Sequence, residues 1–318
     1  MTEVAVEVVV KGLGLGEGPH WDGNKQELYF VDVFDPSIQR YVLATGEVFK
    51  LPLPSSPSFI IPVDKSENKF VIGYHRHLAL LEWDGVSTTY KNLKPFADLS
   101  TKYPGARYND AKCDALGRLW VGTFGMTDEF SVVTGIGALL SVDAAGVVQE
   151  HMDKIELSNG LGWSKDSTKM YFIDTYGFLV YVFDYDIKKG QTSNKRVLLD
   201  TKKAGISGSP DGMCIDAEDK LWVAFFTAGK ILQLDGTTGV VLRTIDLAQK
   251  VSNITSLTFG GPNLDTLFVT TGKYGVVPEQ KSAPSSATEE YAGAVLKISN
   301  LQAKGPGSGV KYSENLSL

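Results

Sequence analysis

Glu17, Asn109, Asn159 and Asp211 stand at the same place in four separate segments of the sequence. Each lies four residues ahead of an apolar anchor: Trp21, Cys113, Trp163 and Ile215. Carboxylate and amide oxygens gathered around one point are what a hard divalent cation requires. Asn and Asp are frequent in turns before strands, but a turn preference explains neither Glu17 nor a phase shared by four segments. An all-oxygen donor set favours Ca2+, Mg2+ or Mn2+ over a thiolate-seeking ion, although Zn2+ also accepts carboxylate. Arg107 lies two residues before Asn109. A guanidinium there can hold substrate oxygens bidentately; the alternative is that it pairs with Asp110.

Other reactive-looking residues lead elsewhere. Gly12, Gly14, Gly16 and Gly18 suggest a nucleotide loop, but Pro19-His20-Trp21 follows, which does not open a helix, so the dinucleotide pattern lacks its context. His75 and His77 belong to a segment whose equivalent position is Phe59, and they are expected on the surface or in a loop. His20 is expected to pack beneath the site. No serine sits in a nucleophile elbow. Cys113 and Cys214 lie in apolar strand-like stretches and are expected as buried thiols. Asn253-Ile-Thr and Asn315-Leu-Ser match the glycosylation pattern and are taken as chance matches.

The elements that must carry these residues repeat. An apolar residue, a polar turn and a strand opening on an aromatic recur six times, with the aromatics at Tyr29, Phe70, Trp120, Tyr171, Trp222 and Phe268. Their spacing, about 40 to 50 residues, is that of a four-stranded propeller blade. The expected fold is therefore all-β: a six-bladed β-propeller with four-stranded antiparallel blades, filling residues 1–318 as one domain. The innermost strand of each blade runs along the central channel, so the residues at its start converge on one mouth. In blade order these are Glu17, Phe59, Asn109, Asn159, Asp211 and Thr255. The valine-rich segment Val4 to Val10 is expected to close the ring beside the carboxy-terminal strands, which removes an exposed sheet edge. The glycines after Asn159 and Asp211 are expected to allow positive φ and close approach. The Ser- and Pro-rich segment from Pro278 to Glu290 is expected to be a mobile loop.

The net charge of -6 and the absence of any Lys/Arg run argue against a nucleic-acid partner. No stretch is apolar for the length that a membrane-spanning helix needs, and residues 1–10 lack the layout of a secretory signal. A monomeric, cytoplasmic protein with a small-molecule substrate and neither nucleic-acid nor membrane partner is expected.

The stretches GEGPHWD at 16–22, RYND at 107–110, NGLGWSKD at 159–166, PDGMCID at 210–216 and TSLTFGGPNLDTLFVT at 255–270 resemble the SMP30/gluconolactonase family. That family includes regucalcin and the luciferin-regenerating enzyme, and the blend of motifs looks closest to its insect branch. The resemblance spans the whole chain. It implies one divalent ion (Ca2+, Zn2+, Mn2+ or Mg2+) held by Glu17, Asn159 and Asp211, with substrate contacts from Arg107 and Asn109. It also implies aldonolactone hydrolysis. One departure stands out. Where the vertebrate members carry a sugar-contacting glutamate, this chain has Thr127, with Asp128 and Glu129 next to it.

The expected function is metal-dependent hydrolysis of a small lactone. The ion would polarise the carbonyl, Asp211 would also draw a proton from the attacking water, and Arg107, Asn109 and Thr127 would face the substrate. Rival readings are luciferin-regenerating chemistry on oxyluciferin or an organophosphate-like ester with the same ion, a non-catalytic calcium-binding protein, and an interaction scaffold. Carboxylates at a channel mouth speak against the scaffold.

Overall fold

The computed structural model describes residues 3–99, 102–127, 131–143, 145–276, 280, 285 and 287–315. They form six antiparallel sheets, and among the described residues there is no α-helix. The first strand, β1 (Ala5–Lys11), belongs to the last sheet. Blade 1 is β2 (Gly16–Asp22), β3 (Glu27–Asp32), β4 (Ser37–Val42) and β5 (Val48–Pro52). Blade 2 is β6 (Pro57–Pro62), β7 (Lys69–Tyr74), β8 (His77–Glu82) and β9 (Asn92–Asp98). Blade 3 is β10 (Ala106–Cys113), β11 (Leu119–Met126), the short β12 (Val132–Val133), β13 (Gly137–Val142) and β14 (Val148–Ile155). Blade 4 is β15 (Ser158–Trp163), β16 (Lys169–Asp174), β17 (Leu179–Asp186) and β18 (Gln191–Asp200). Blade 5 is β19 (Ser209–Ile215), β20 (Lys220–Phe226), β21 (Lys230–Asp235) and β22 (Val241–Asp246). Blade 6 is β23 (Asn253–Gly260), β24 (Thr266–Gly272), β25 (Ala294–Ser299) and then β1.

The inner strands close a ring: β2 touches β6 and β23, β10 touches β6 and β15, and β19 touches β15 and β23. As the valine pattern predicts, β1 pairs antiparallel with β25, so the amino-terminal strand covers the open edge of blade 6. The chain is a six-bladed β-propeller.

No single central core holds it together. Six hydrophobic clusters are wedged one between each pair of neighbouring blades. The repeating aromatics supply much of this packing. Tyr29 meets Phe70 between blades 1 and 2, with ring centroids 5.1 Å apart, and Trp21 stacks on Phe268 at 5.2 Å between blades 1 and 6. Each large ring covers the flat face that its own sheet cannot bury alone.

A carboxy-terminal strap, residues 304–313, crosses the end of the channel remote from the strand starts. Its backbone bonds in turn to Ala217, Leu264, Trp21, Pro62, Asp64 and Gly117, so it reaches five of the six blades. Lys311 pairs with the buried Asp22 at 2.8 Å, and Tyr312 is buried.

Most of the expected mobile loop from Pro278 to Glu290 lies outside the described residues. Its described residues Gln280 and Ser285 are tied down, Gln280 by a reciprocal amide pair with Asn253 and Ser285 by Ser252 and Glu289. Asn253 is itself fully buried, so its glycosylation pattern is indeed a chance match. Cys113 and Cys214 are free, buried thiols. No helix of the described residues is long and apolar enough to cross a membrane.

Candidate metal centre

Every blade breaks register between its inner and second strand at the same level. The breaks fall between Glu17 and His20, Pro57 and Ile60, Tyr108 and Ala111, Ser158 and Leu161, Pro210 and Met213, and Ile254 and Ser256. A β-bulge leaves a residue unpaired and re-aims its side chain. Phe59, Asn109, Asn159, Asp211 and Thr255 fall within these breaks, and Glu17 stands at the edge of one.

Two of the six axial positions serve the others. Thr255 donates its hydroxyl to the Gly16 carbonyl at 2.6 Å, and Phe59 lies against Gly18, whose φ is 55°. Blades 6 and 2 thus grip the Gly16-Glu17-Gly18 triplet from both sides. The expectation of positive φ after Asn159 and Asp211 is not met, because neither Gly160 nor Gly212 has it. Those glycines serve close approach alone. A β-carbon on Gly160 would stand 2.8 Å from the Asp211 carbonyl oxygen, and one on Gly212 would stand 2.5 Å from the Ser256 β-carbon.

Glu17, Asn159 and Asp211 are brought together. Burial, and then the neighbouring Asp110, push the Glu17 carboxyl up to about 8. Asp211 is raised well above the usual carboxylate range by burial first, then by Glu17 and Asp110, while the Asn159 amide pulls it back. Asn159 also donates to Thr175 Oγ1 at 3.0 Å, which fixes the amide and turns its oxygen away from that contact. Sequence reasoning considered Asp110 only as an alternative partner for Arg107. Asp110 is buried, raised mainly by that burial, and the Lys112 ammonium acts on it in the lowering direction. Strict alternation would put Asn109 and Asp110 on opposite faces; the register break in β10 removes that rule.

Two oxygens of this group, Asp211 Oδ1 and Asp110 Oδ2, are buried without a hydrogen-bond partner among the described residues. Asp110 raises Glu17, and both raise Asp211; buried carboxylates so placed, with two oxygens unsatisfied, fit a hard cation, which would relieve both costs. Among the described residues no three His, Cys, Asp or Glu side chains converge at ligand spacing. The expected triad contains only two carboxylates, its third donor being the Asn159 amide.

Arg107 and Asn109 are half-buried on β10. Asn109 donates to the Ser158 carbonyl at 2.7 Å, tying blade 3 to blade 4 beside Asn159. Thr127 is half-buried and bonds both ways with Ser131, its backbone N–H donating at 2.9 Å and its hydroxyl accepting at 3.2 Å. Asp128 and Glu129 lie outside the described residues. His75 sits in the β7–β8 turn and His77 opens β8, both half-exposed, with His77 near Asp98.

Sequence reasoning also missed the supports. Asp32 and Asp174 end the second strands of blades 1 and 4. Asp32 accepts from the backbone of Gly14 and Leu15, and Asp174 from Glu156 and Leu157, just ahead of Glu17 and Asn159. Their shared place in Tyr29-Phe-Val-Asp32 and Tyr171-Phe-Ile-Asp174 was the available signal.

The profile of the SMP-30/Gluconolactonase/LRE-like region matches residues 15–273. This chain belongs to that family. Among its relatives, zebrafish (Danio rerio) regucalcin is 33% identical over 306 residues, covering 96% of this chain and 97% of its own. A solved luciferin-regenerating enzyme superposes with a TM-score of 0.89 at 35% identity, covering 98% of this chain and 100% of that one. A regucalcin from Agrobacterium tumefaciens, described as a calcium-binding protein, gives 0.82 at 25% identity, covering 97% of both chains.

Proposed function

We propose that the protein is a divalent-metal-dependent hydrolase of small lactones. The observation that carries this reading is the buried cluster of Glu17, Asp211 and the Asn159 amide, in which Glu17 helps to raise Asp211 and Asp211 Oδ1 is left unpartnered. Family membership supports it. Glu17, Asn159 and Asp211 would hold the ion. When bound, the ion would polarise a lactone carbonyl and stabilise the oxyanion formed from it.

The chain's own residues do the rest. Arg107 and Asn109 lie on one strand, and Asn109 is pinned by Ser158, so its amide oxygen presents a fixed acceptor to ring hydroxyls. Asp211 takes a proton from the attacking water at its carboxylate. Thr127 replaces an acidic contact with a hydroxyl already engaged by Ser131, which favours substrates with fewer hydroxyls to satisfy. That observation also favours a second reading: an activity of the kind named for the luciferin-regenerating relative.

Purified protein should hydrolyse gluconolactone or a simpler γ- or δ-lactone, followed by a pH indicator. EDTA should stop turnover, and Ca2+, Zn2+, Mn2+ or Mg2+ should restore it. Turnover that survives complete metal removal would exclude the mechanism. Metal binding with no lactone turned over would leave the second reading.

A further inference from the structure

We infer that Asp110 and Lys112 form a charge-setting pair beneath the cation site. Asp110 supplies a third carboxylate to the field that holds a divalent ion. Lys112 partly cancels it and fastens the strand that presents Asp211. The inference rests on the reading that this cluster holds a cation.

Both residues line the axial channel, Asp110 within the register break of β10 and Lys112 just past it. There a cavity of about 150 Å3 is walled by the downstream halves of the inner strands and floored by residues 306–310 of the strap. Asp110 is buried, with Oδ2 unpartnered. Its charge acts on both Glu17 and Asp211, the expected carboxylate ligands. Lys112 follows two residues later on β10 and reaches across the channel from blade 3 to blade 5, where its ammonium donates to the Met213 carbonyl. Met213 is the residue at which β19 regains register after the break that contains Asp211. One ammonium therefore acts on Asp110 and also anchors the end of the Asp211 bulge. The other titratable side chains on this cavity, His20, Cys113 and Cys214, offer no oxygen and are buried.

Without Asp110 the site would carry two carboxylates, and with it three, offset by one ammonium. At short range in a protein interior each unit charge changes the binding of a divalent ion by about tenfold or more. Lys112 does not contact the ion in this account. It acts through Asp110 and through the Met213 carbonyl, so it is a positioning residue.

The test is Ca2+ binding to the full chain by titration calorimetry after EDTA treatment, for the unaltered protein, Asp110→Asn, Lys112→Met, Lys112→Arg and the double variant Asp110→Asn/Lys112→Met. Asp110→Asn should raise the Ca2+ Kd about tenfold, and Lys112→Met should lower it by a similar factor. Lys112→Arg keeps the charge and should stay near the unaltered value. The double variant removes both charges and should also return close to it. An affinity unmoved by Asp110→Asn overturns the pair, and this variant alone decides if Lys112→Met does not fold. Weaker binding by Lys112→Met, alongside normal binding by Lys112→Arg, overturns the charge-cancelling role. If the unaltered chain binds neither Ca2+ nor Mn2+, the cation reading itself falls and the pair with it.

Discussion

A β-carbon placed on Gly160 would stand 2.8 Å from the carbonyl oxygen of Asp211, and 2.6 Å from the backbone nitrogen of Met213. The two expected ligands on neighbouring blades are thus in register because nothing but hydrogen separates their strands. Gly160→Ala should push β15 and β19 apart. The overpacking cost is about 1–3 kcal/mol, and Ca2+ affinity should fall at least tenfold because Asn159 and Asp211 no longer converge. Thermal unfolding and calorimetry measure the two effects. An alanine variant with unchanged Ca2+ affinity would show that the close approach is not what sets the site.

Asp211→Asn should abolish tight metal binding while leaving the shape of the site intact. In the metal-free protein it should stabilise increasingly as pH rises above the ordinary carboxylate range. The folded-state pKa of Asp211 is raised, so its contribution is full below the ordinary carboxylate value and is lost as pH rises through the folded value. Removing a buried like charge then contributes about 1–3 kcal/mol. Melting curves in EDTA at pH 5.5 and 8.5 decide: the variant should gain more on the parent at the higher pH.

The metal-free protein should be most stable in mildly acidic solution. Glu17, raised to about 8, contributes stability that is lost as pH climbs from about 4.5 through 8. His20 and His151 act in the other direction. Burial holds both down at about 4, so the unfolded chain binds protons first, and stability falls as pH drops from about 6.5 toward 4. Saturating Ca2+ should flatten the alkaline limb, since the ion takes the place of the Glu17 proton, and leave the acid limb unchanged. Unfolding temperature against pH, with and without Ca2+, tests both limbs.

Arg107→Lys should raise KM for a lactone about tenfold and leave Ca2+ affinity alone. Lysine keeps the charge but loses the planar fork that holds two oxygens together. Equal losses in metal affinity and KM would place Arg107 in the support of the metal site rather than on the substrate.

Lys311→Met leaves the carboxylate of Asp22, almost fully buried, without its ammonium partner. The strap should loosen and the fold should lose about 1–3 kcal/mol. Asp22 is held below the usual carboxylate range, with the Lys311 hydrogen bond and charge the chief causes that lower it. The loss should therefore be full at pH 7 and fade as pH falls below the ordinary Asp value, as denaturant titrations at pH 7 and pH 3.5 would record.

Much of the centre is legible in residue spacing alone. Glu17, Asn159 and Asp211 share a phase with Trp21, Trp163 and Ile215, and the structure places all three at one level of the ring. Phe59 and Thr255 have the same phase but different work, holding Gly18 and the Gly16 carbonyl, because a shared phase fixes height on the axis and not partners. The part of Asp110 beside Glu17 and Asp211 was not legible, because alternation is a rule for regular strands and β10 is irregular at that point.

The sequence by itself determined the six blades, the closing valine strand and the ring of oxygen-bearing positions. Each of these is a local pattern of apolar residues, turns and strand starts repeated at a fixed interval. Only the tertiary structure decided which carboxylates face one another, that Lys112 crosses to Met213, and that residues 304–313 seal the far end. Those contacts join residues far apart in the chain through register breaks and backbone approach at Gly160 and Gly212. Their geometry is set by how the blades pack around the axis, which no local pattern encodes.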